Sequence, residues 1–150
     1  MGLATSFLCV GRLLPGVRDP SYAPSAVATE LESACRTAVG DQLRSIVYLD
    51  DEGHEQLYRR EDLKGDDPET VAGFVENERL GFRSQAVYDK SELGDYRFTV
   101  RSFDHGYLTR VLEDGHGAFV TTDELQLAAF DELASAVRGV LAGHDSPSET

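Results

Sequence analysis

A chain of 150 residues has the length of one ordinary domain and can bury roughly two thirds of its unfolded surface without a disulfide or a metal. Its 41 % hydrophobic content excludes wholesale disorder. The charge is skewed: 27 acids against 14 bases give a net charge of -13, and Lys64 and Lys90 are the only lysines among those bases.

An acid-rich, lysine-poor surface stays hydrated in concentrated salt. In dilute buffer it repels itself, and at molar salt the Debye length falls to about 3 Å and removes that repulsion. The composition therefore points to a high-salt cytoplasm. No basic stripe is present, which argues against direct nucleic-acid binding. No stretch reaches the length of a membrane span. Cys9 and Cys35 have neither CxxC nor metal-site spacing, and Cys35 falls on the apolar face of a predicted helix, as a small buried hydrophobe would.

In chain order, residues 1–23 read as a poorly packed N-terminal arm, because Met1–Arg18 holds two arginines and no acid. A single α+β domain is expected over 24–143. Its first helix runs Ser25–Val39, with Val27, Leu31, Ala34, Cys35 and Ala38 on one face and Gly40 as its stop. Arg44–Leu49 and His54–Arg60 read as a hairpin around the turn Asp50–Gly53. Asp67 caps a second helix that has Pro68 in its first turn. Val71, Phe74, Val75 and Glu78 form its inner face, and it ends near Leu80-Gly81. Residues 81–94 read as loop with room for a helical turn.

Asp95–Phe103 alternates, with Tyr96, Phe98 and Val100 on one face and Arg97, Thr99 and Arg101 on the other. Tyr107–Glu113 and Ala118–Thr122 complete a meander. Thr121 and Glu124 have capping-box spacing, which predicts a third helix from there to Gly143. Residues 144–150 read as a disordered tail. The order is α-β-β-α-β-β-β-α, which suggests one five-stranded antiparallel sheet covered by helices.

This order resembles the roadblock/longin/profilin-like architecture, in which five antiparallel strands lie between helices and the domains often dimerise. GAF and PAS sensor domains are neighbours in topology. Leu43-Arg44-Ser45-Ile46-Val47-Tyr48, the run Gly73–Gln85 (GFVENERLGFRSQ) and Tyr107-Leu108-Thr109-Arg110-Val111 also resemble a group of haloarchaeal proteins of unknown function. That resemblance implies a halophilic archaeal source and a shared fold, and no activity.

No catalytic motif, phosphate loop or metal spacing is readable, so no catalytic residue, metal or cofactor is assigned. His54, His105 and His116 lie in predicted turns and are expected in solvent. The Asp50-Asp51-Glu52 turn is expected to be hydrated surface charge. Asn77, Arg79, Phe82 and Arg83 put arginines beside an aromatic where the second helix ends, either an anion or interface site or internal pairing of Arg79 and Arg83 with nearby acids. Arg97 and Arg101 share a strand face, and Arg110 joins it only in the right register. The leading reading is a non-enzymatic interaction or regulatory domain, a homodimer or the partner of another protein. A GAF/PAS-like small-molecule sensor and a small enzyme without a recognisable motif remain alternatives.

Overall fold

The computed structural model describes residues 22–145. Most of the expected arm and tail, 1–21 and 146–150, lies outside the described residues. Tyr22 and Ala23, assigned to the arm, are anchored: the Tyr22 hydroxyl donates to Asp50 Oδ1 at 2.6 Å and the Ala23 amide donates to Glu55 Oε1 at 2.9 Å.

Helix α1 spans Ser25–Val39 and is followed by a 3-10 turn at Gly40–Gln42. Strands β1 (Leu43–Asp50) and β2 (His54–Arg59) come next. Helix α2 (Pro68–Arg79) leads into one-turn helix α3 (Gly81–Ser84) and a 3-10 turn at Gln85–Tyr88. Strands β3 (Thr99–Phe103), β4 (Gly106–Glu113) and β5 (His116–Thr122) precede helix α4 (Leu127–Ala142). The five strands form one antiparallel sheet in the order β2-β1-β5-β4-β3, so the expected fold class and element order hold.

The sheet separates two unequal cores. Ile46, Tyr48, Val111, Ala118 and Val120 face α1 and α4, which contribute Val27, Leu31, Cys35, Leu133, Val137 and Leu141. Full burial of each such aliphatic side chain stabilises the fold by roughly 1.5–3 kcal/mol. The alternate residues Val47, Leu49, Leu108 and Phe119 face the other way, with Val75, Val71 and Phe82. Helix α2, continued by Phe82 of α3, covers that face, and Asp67 caps α2 as expected by accepting from the Thr70 amide at 2.8 Å.

Four expectations need correction. Asp95–Phe98 is not strand, and β3 begins at Thr99. The predicted alternation fails there: the Tyr96 hydroxyl meets Thr99 Oγ1 at 2.7 Å, while Arg97 reaches Asp131 on α4.

The last helix starts at Leu127, not at a Thr121–Glu124 capping box. Thr121 and Thr122 pair with β1, and the Asp123 carboxylate is held by Arg44 (3.1 Å) and Arg60 (2.7 Å). Strand pairing consumes Thr121, the residue that would have capped the helix.

His116 is buried, not in a solvated turn. Glu113 pairs with His116, leaving a two-residue Asp114-Gly115 turn with Gly115 at φ 83°, the chemistry a tight hairpin prefers. His116 is therefore the first residue of β5. Its Nε2 is 2.8 Å from the Leu141 carbonyl, which can only accept, so Nε2 carries a proton; in that tautomer Nδ1 accepts from the Tyr48 hydroxyl at 2.6 Å.

Asp50 is also buried rather than hydrated. Besides Tyr22, its carboxylate accepts from the Glu52 and Gly53 amides at 2.9 Å. Burial first, and then the hydrogen bond to Asp50, push the Tyr22 hydroxyl well above the usual phenol range. Cys35 is fully buried as expected, and that burial pushes its thiol up to about 12.

Candidate functional site: the face covered by α2

The register pairs Thr99 with Arg110 and Arg101 with Leu108, which puts Arg110 on the face that carries Thr99 and Arg101. That face is closed by α2. Glu78 sits between the two arginines: Oε1 is 3.1 Å from Arg110 Nη1 and Oε2 is 2.8 Å from Arg101 Nε. Arg110 Nη2 donates to Thr99 Oγ1 at 2.9 Å and to the Tyr96 hydroxyl at 3.1 Å. Arg110 Nε has no hydrogen-bond partner. The α2–α3 junction passes so close that a Cβ on Gly81 would lie 2.5 Å from Arg110 Nη1. Arg101 remains partly open to solvent, while Glu78 and Arg110 are closed. The cluster fastens α2 to β3 and β4, and its one carboxylate faces two guanidinium groups.

The other candidate residues lie apart from this cluster. Arg79 Nε donates to the Asp50 carbonyl at 2.8 Å and Nη1 pairs with Glu76 at 2.5 Å. Internal pairing of Arg79 with a nearby acid is thus seen with Glu76, while Glu78, the other acid beside it, is taken by Arg101 and Arg110. Phe82 packs against the smaller core. Arg79, Phe82 and Arg83 line a shallow cavity of about 370 Å³ with Asp51 and Glu76, so its two cations face two acids. Asn77 is exposed on α2. Arg97 is at the opposite face, against Asp131 and Phe98.

Sequence reasoning missed a larger feature on the α2 side. The helix leaves part of the sheet uncovered, and a half-open groove of about 540 Å³ lies beside it. Val47, Leu108 and Phe119 form the floor, and Phe74 and Phe103 are on the walls. A polar strip is supplied by Ser45 Oγ and Thr121 Oγ1, 2.5 Å apart. Arg44, Arg59 and Lys64 contribute positive charge, Asp66 and Asp104 negative charge, and His105 an imidazole. These residues come from elements and loops far apart in sequence, so no local pattern announces them. Among the described residues no group of three His, Cys, Asp or Glu could hold a metal ion, and no helix is long and apolar enough to cross a membrane.

Residues 29–142 match the family described as "Domain of unknown function (DUF7522)". The chain belongs to this family. Among solved structures, the DUF7522 chain is similar to a Roadblock/LC7 domain from Streptomyces avermitilis, with 20 % identity and a TM-score of 0.51 over 75 % of this chain and 93 % of that one. It is also similar to the gliding protein MglB from Thermus thermophilus, with 15 % identity and a TM-score of 0.50 over 88 % of this chain and 100 % of that one. At these identities the likeness establishes a roadblock/LC7-like fold for the DUF7522 chain. No curated protein matches it.

Proposed function

We propose that this DUF7522 chain is a non-enzymatic interaction or regulatory domain that works as a homodimer in the cytoplasm of a halophilic archaeon. The observation that carries the reading is the difference between the two sheet edges. β2, at one edge, shows His54, Gln56 and Arg59 to solvent. β3, at the other, shows Val100 and Phe103, and the connection feeding it exposes Leu80, Val87, Tyr88 and Leu93. An open strand edge beside exposed apolar side chains is a template for pairing with another chain. The roadblock-like fold supports the same reading by analogy, and the acid-rich, lysine-poor composition supports the halophilic source.

Light scattering of the full chain in molar KCl tests the proposal. The expected mass is twice that of the 16.4 kDa chain, and Val100→Asp is expected to return it to one. A wild-type chain that stays at the single mass across the accessible concentration range would overturn the homodimer.

A further inference from the structure

The groove beside α2 differs electrostatically from the rest of the chain. Its lining carries three fixed positive charges, Arg44, Arg59 and Lys64, against two negative ones, Asp66 and Asp104, in a protein with 14 bases and 27 acids. Arg44 is committed to Asp123, which leaves Arg59 and Lys64 balanced against Asp66 and Asp104 in the lining, whereas the chain as a whole has a net charge of -13. Arg59 and Lys64 are not committed to any carboxylate among the described residues.

The Arg59 guanidinium nevertheless has contacts to the loop that follows β2. It donates to the Lys64 carbonyl at 3.1 Å and lies against Gly65, where a Cβ would overlap its Nη1. Gly65 has φ 80°, a backbone conformation that favours glycine. The β2–α2 loop thus borders an exposed guanidinium with spare donors at the edge of an apolar floor. Two walls of that floor, Phe74 and Phe103, are partly exposed aromatics. Apolar surface with a few placed polar groups, in a volume of a few hundred Å³, is the usual make-up of a small-molecule site.

We propose that this groove binds a small free organic acid with a flat apolar body. The body lies on the floor between Phe74 and Phe103, and its carboxylate or phosphate is held by Arg59 and Lys64. Guanidinium geometry suits either oxyanion. Phe103 also belongs to the apolar sheet edge, so ligand and self-association are measured together.

The test is fluorescence titration of the full chain in molar KCl with 2-naphthoate, 2-naphthyl phosphate and the neutral 2-naphthylmethanol, with light scattering on the same samples. One or both anions are expected to bind about ten-fold tighter than the alcohol, the range of one charge-assisted hydrogen bond. The doubly substituted Arg59→Gln/Lys64→Gln chain is expected to lose that preference while its circular dichroism is unchanged, since both side chains are exposed. An Arg36→Gln/Lys90→Gln chain, with Arg36 exposed on α1, removes the same charge away from the groove and is expected to keep it.

Equal binding of anions and alcohol would overturn the proposal, as would no saturable binding of any probe, or equal losses in both substituted chains. So would a dimer that dissociates in Arg59→Gln/Lys64→Gln without any preference for anions in the wild type, because the groove would then be filled by a second copy. The homodimer itself is judged separately by Val100→Asp, which does not line the groove.

Discussion

Glu78 Oε1 lies 3.1 Å from Arg110 Nη1 with both side chains 3 % exposed, so α2 and the sheet are in direct ionic contact at that point. Removing one partner of such a pair leaves a charge stranded in a poorly solvated site, which costs about 3–5 kcal/mol, whereas replacing both with apolar groups can be neutral. Glu78→Ala is therefore expected to lower unfolding free energy by about that range, and Glu78→Leu combined with Arg110→Met to recover most of it, as Arg101 can turn outward. Denaturant unfolding of the three chains in molar KCl checks this. Comparable losses in the single and double variants would contradict it.

Gly81 offers an independent probe of the same junction. Its ideal Cβ would meet Arg110 Nη1 at 2.5 Å and Leu112 Cδ1 at 2.8 Å. Gly81→Ala is expected to destabilise by about 1–3 kcal/mol, the usual cost of overpacking. Thermal melts decide it. An alanine chain as stable as the parent would mean that the junction has slack.

Tyr48 and His116 provide a test in the larger core. Tyr48→Phe removes the hydroxyl 2.6 Å from His116 Nδ1 and leaves a buried ring nitrogen unpaired, at an expected cost of about 1–3 kcal/mol. The variant should keep the parent's far-ultraviolet circular dichroism and unfold at lower urea. An unchanged midpoint would show that His116 finds another partner.

Asp123 makes stability depend on pH. Its hydrogen bonds to Arg60 and then Arg44 hold its carboxyl below the usual carboxylate range. A group whose pKa falls on folding stabilises above its unfolded pKa and loses that contribution as pH drops through the folded value. The gap in urea midpoint between wild type and Asp123→Asn should be full at neutral pH and close as the pH drops below the ordinary carboxylate range. A gap that widens on acidification would reverse the assigned sign. No large energy is expected, because the clamp is partly exposed to solvent.

Cys35 should be inert in the native state. Its thiol is fully buried and pushed up to about 12, so almost no thiolate exists near neutral pH. In a Cys9→Ser chain, a disulfide reagent in mildly alkaline buffer is expected to react only after denaturant is added. Rapid native labelling would disprove the burial.

The legible parts of the fold were those set by neighbours in sequence. Ser25–Val39 has its apolar period and a glycine stop, and α1 has those limits. Asp67-Pro68 announced the start of α2. Thr121 and Glu124 misled because cap spacing cannot reveal that Thr121 is paired with Ser45 across the sheet. Asp50 looked like surface because the hydroxyl that buries it comes from Tyr22, 28 positions earlier. Arg110 joined Thr99 and Arg101 only through register, which alternation leaves undetermined. The groove residues were invisible for the same reason: Arg59 and Phe119 come to line one groove only after β1 pairs with both β2 and β5.

The two faces of the sheet differ in how much holds their covers in place. α1 and α4 share a large apolar core, while α2 rests on a few side chains and one ionic cluster. Elements with few buried contacts open at lower free energy than the rest of a domain. The amide hydrogens of α2 should therefore exchange with solvent long before those of α1, β1 or β5. A partner or ligand that reaches the α2 face meets a hinged shutter over a rigid panel, and binding there would slow exchange in α2 without altering the opposite layer.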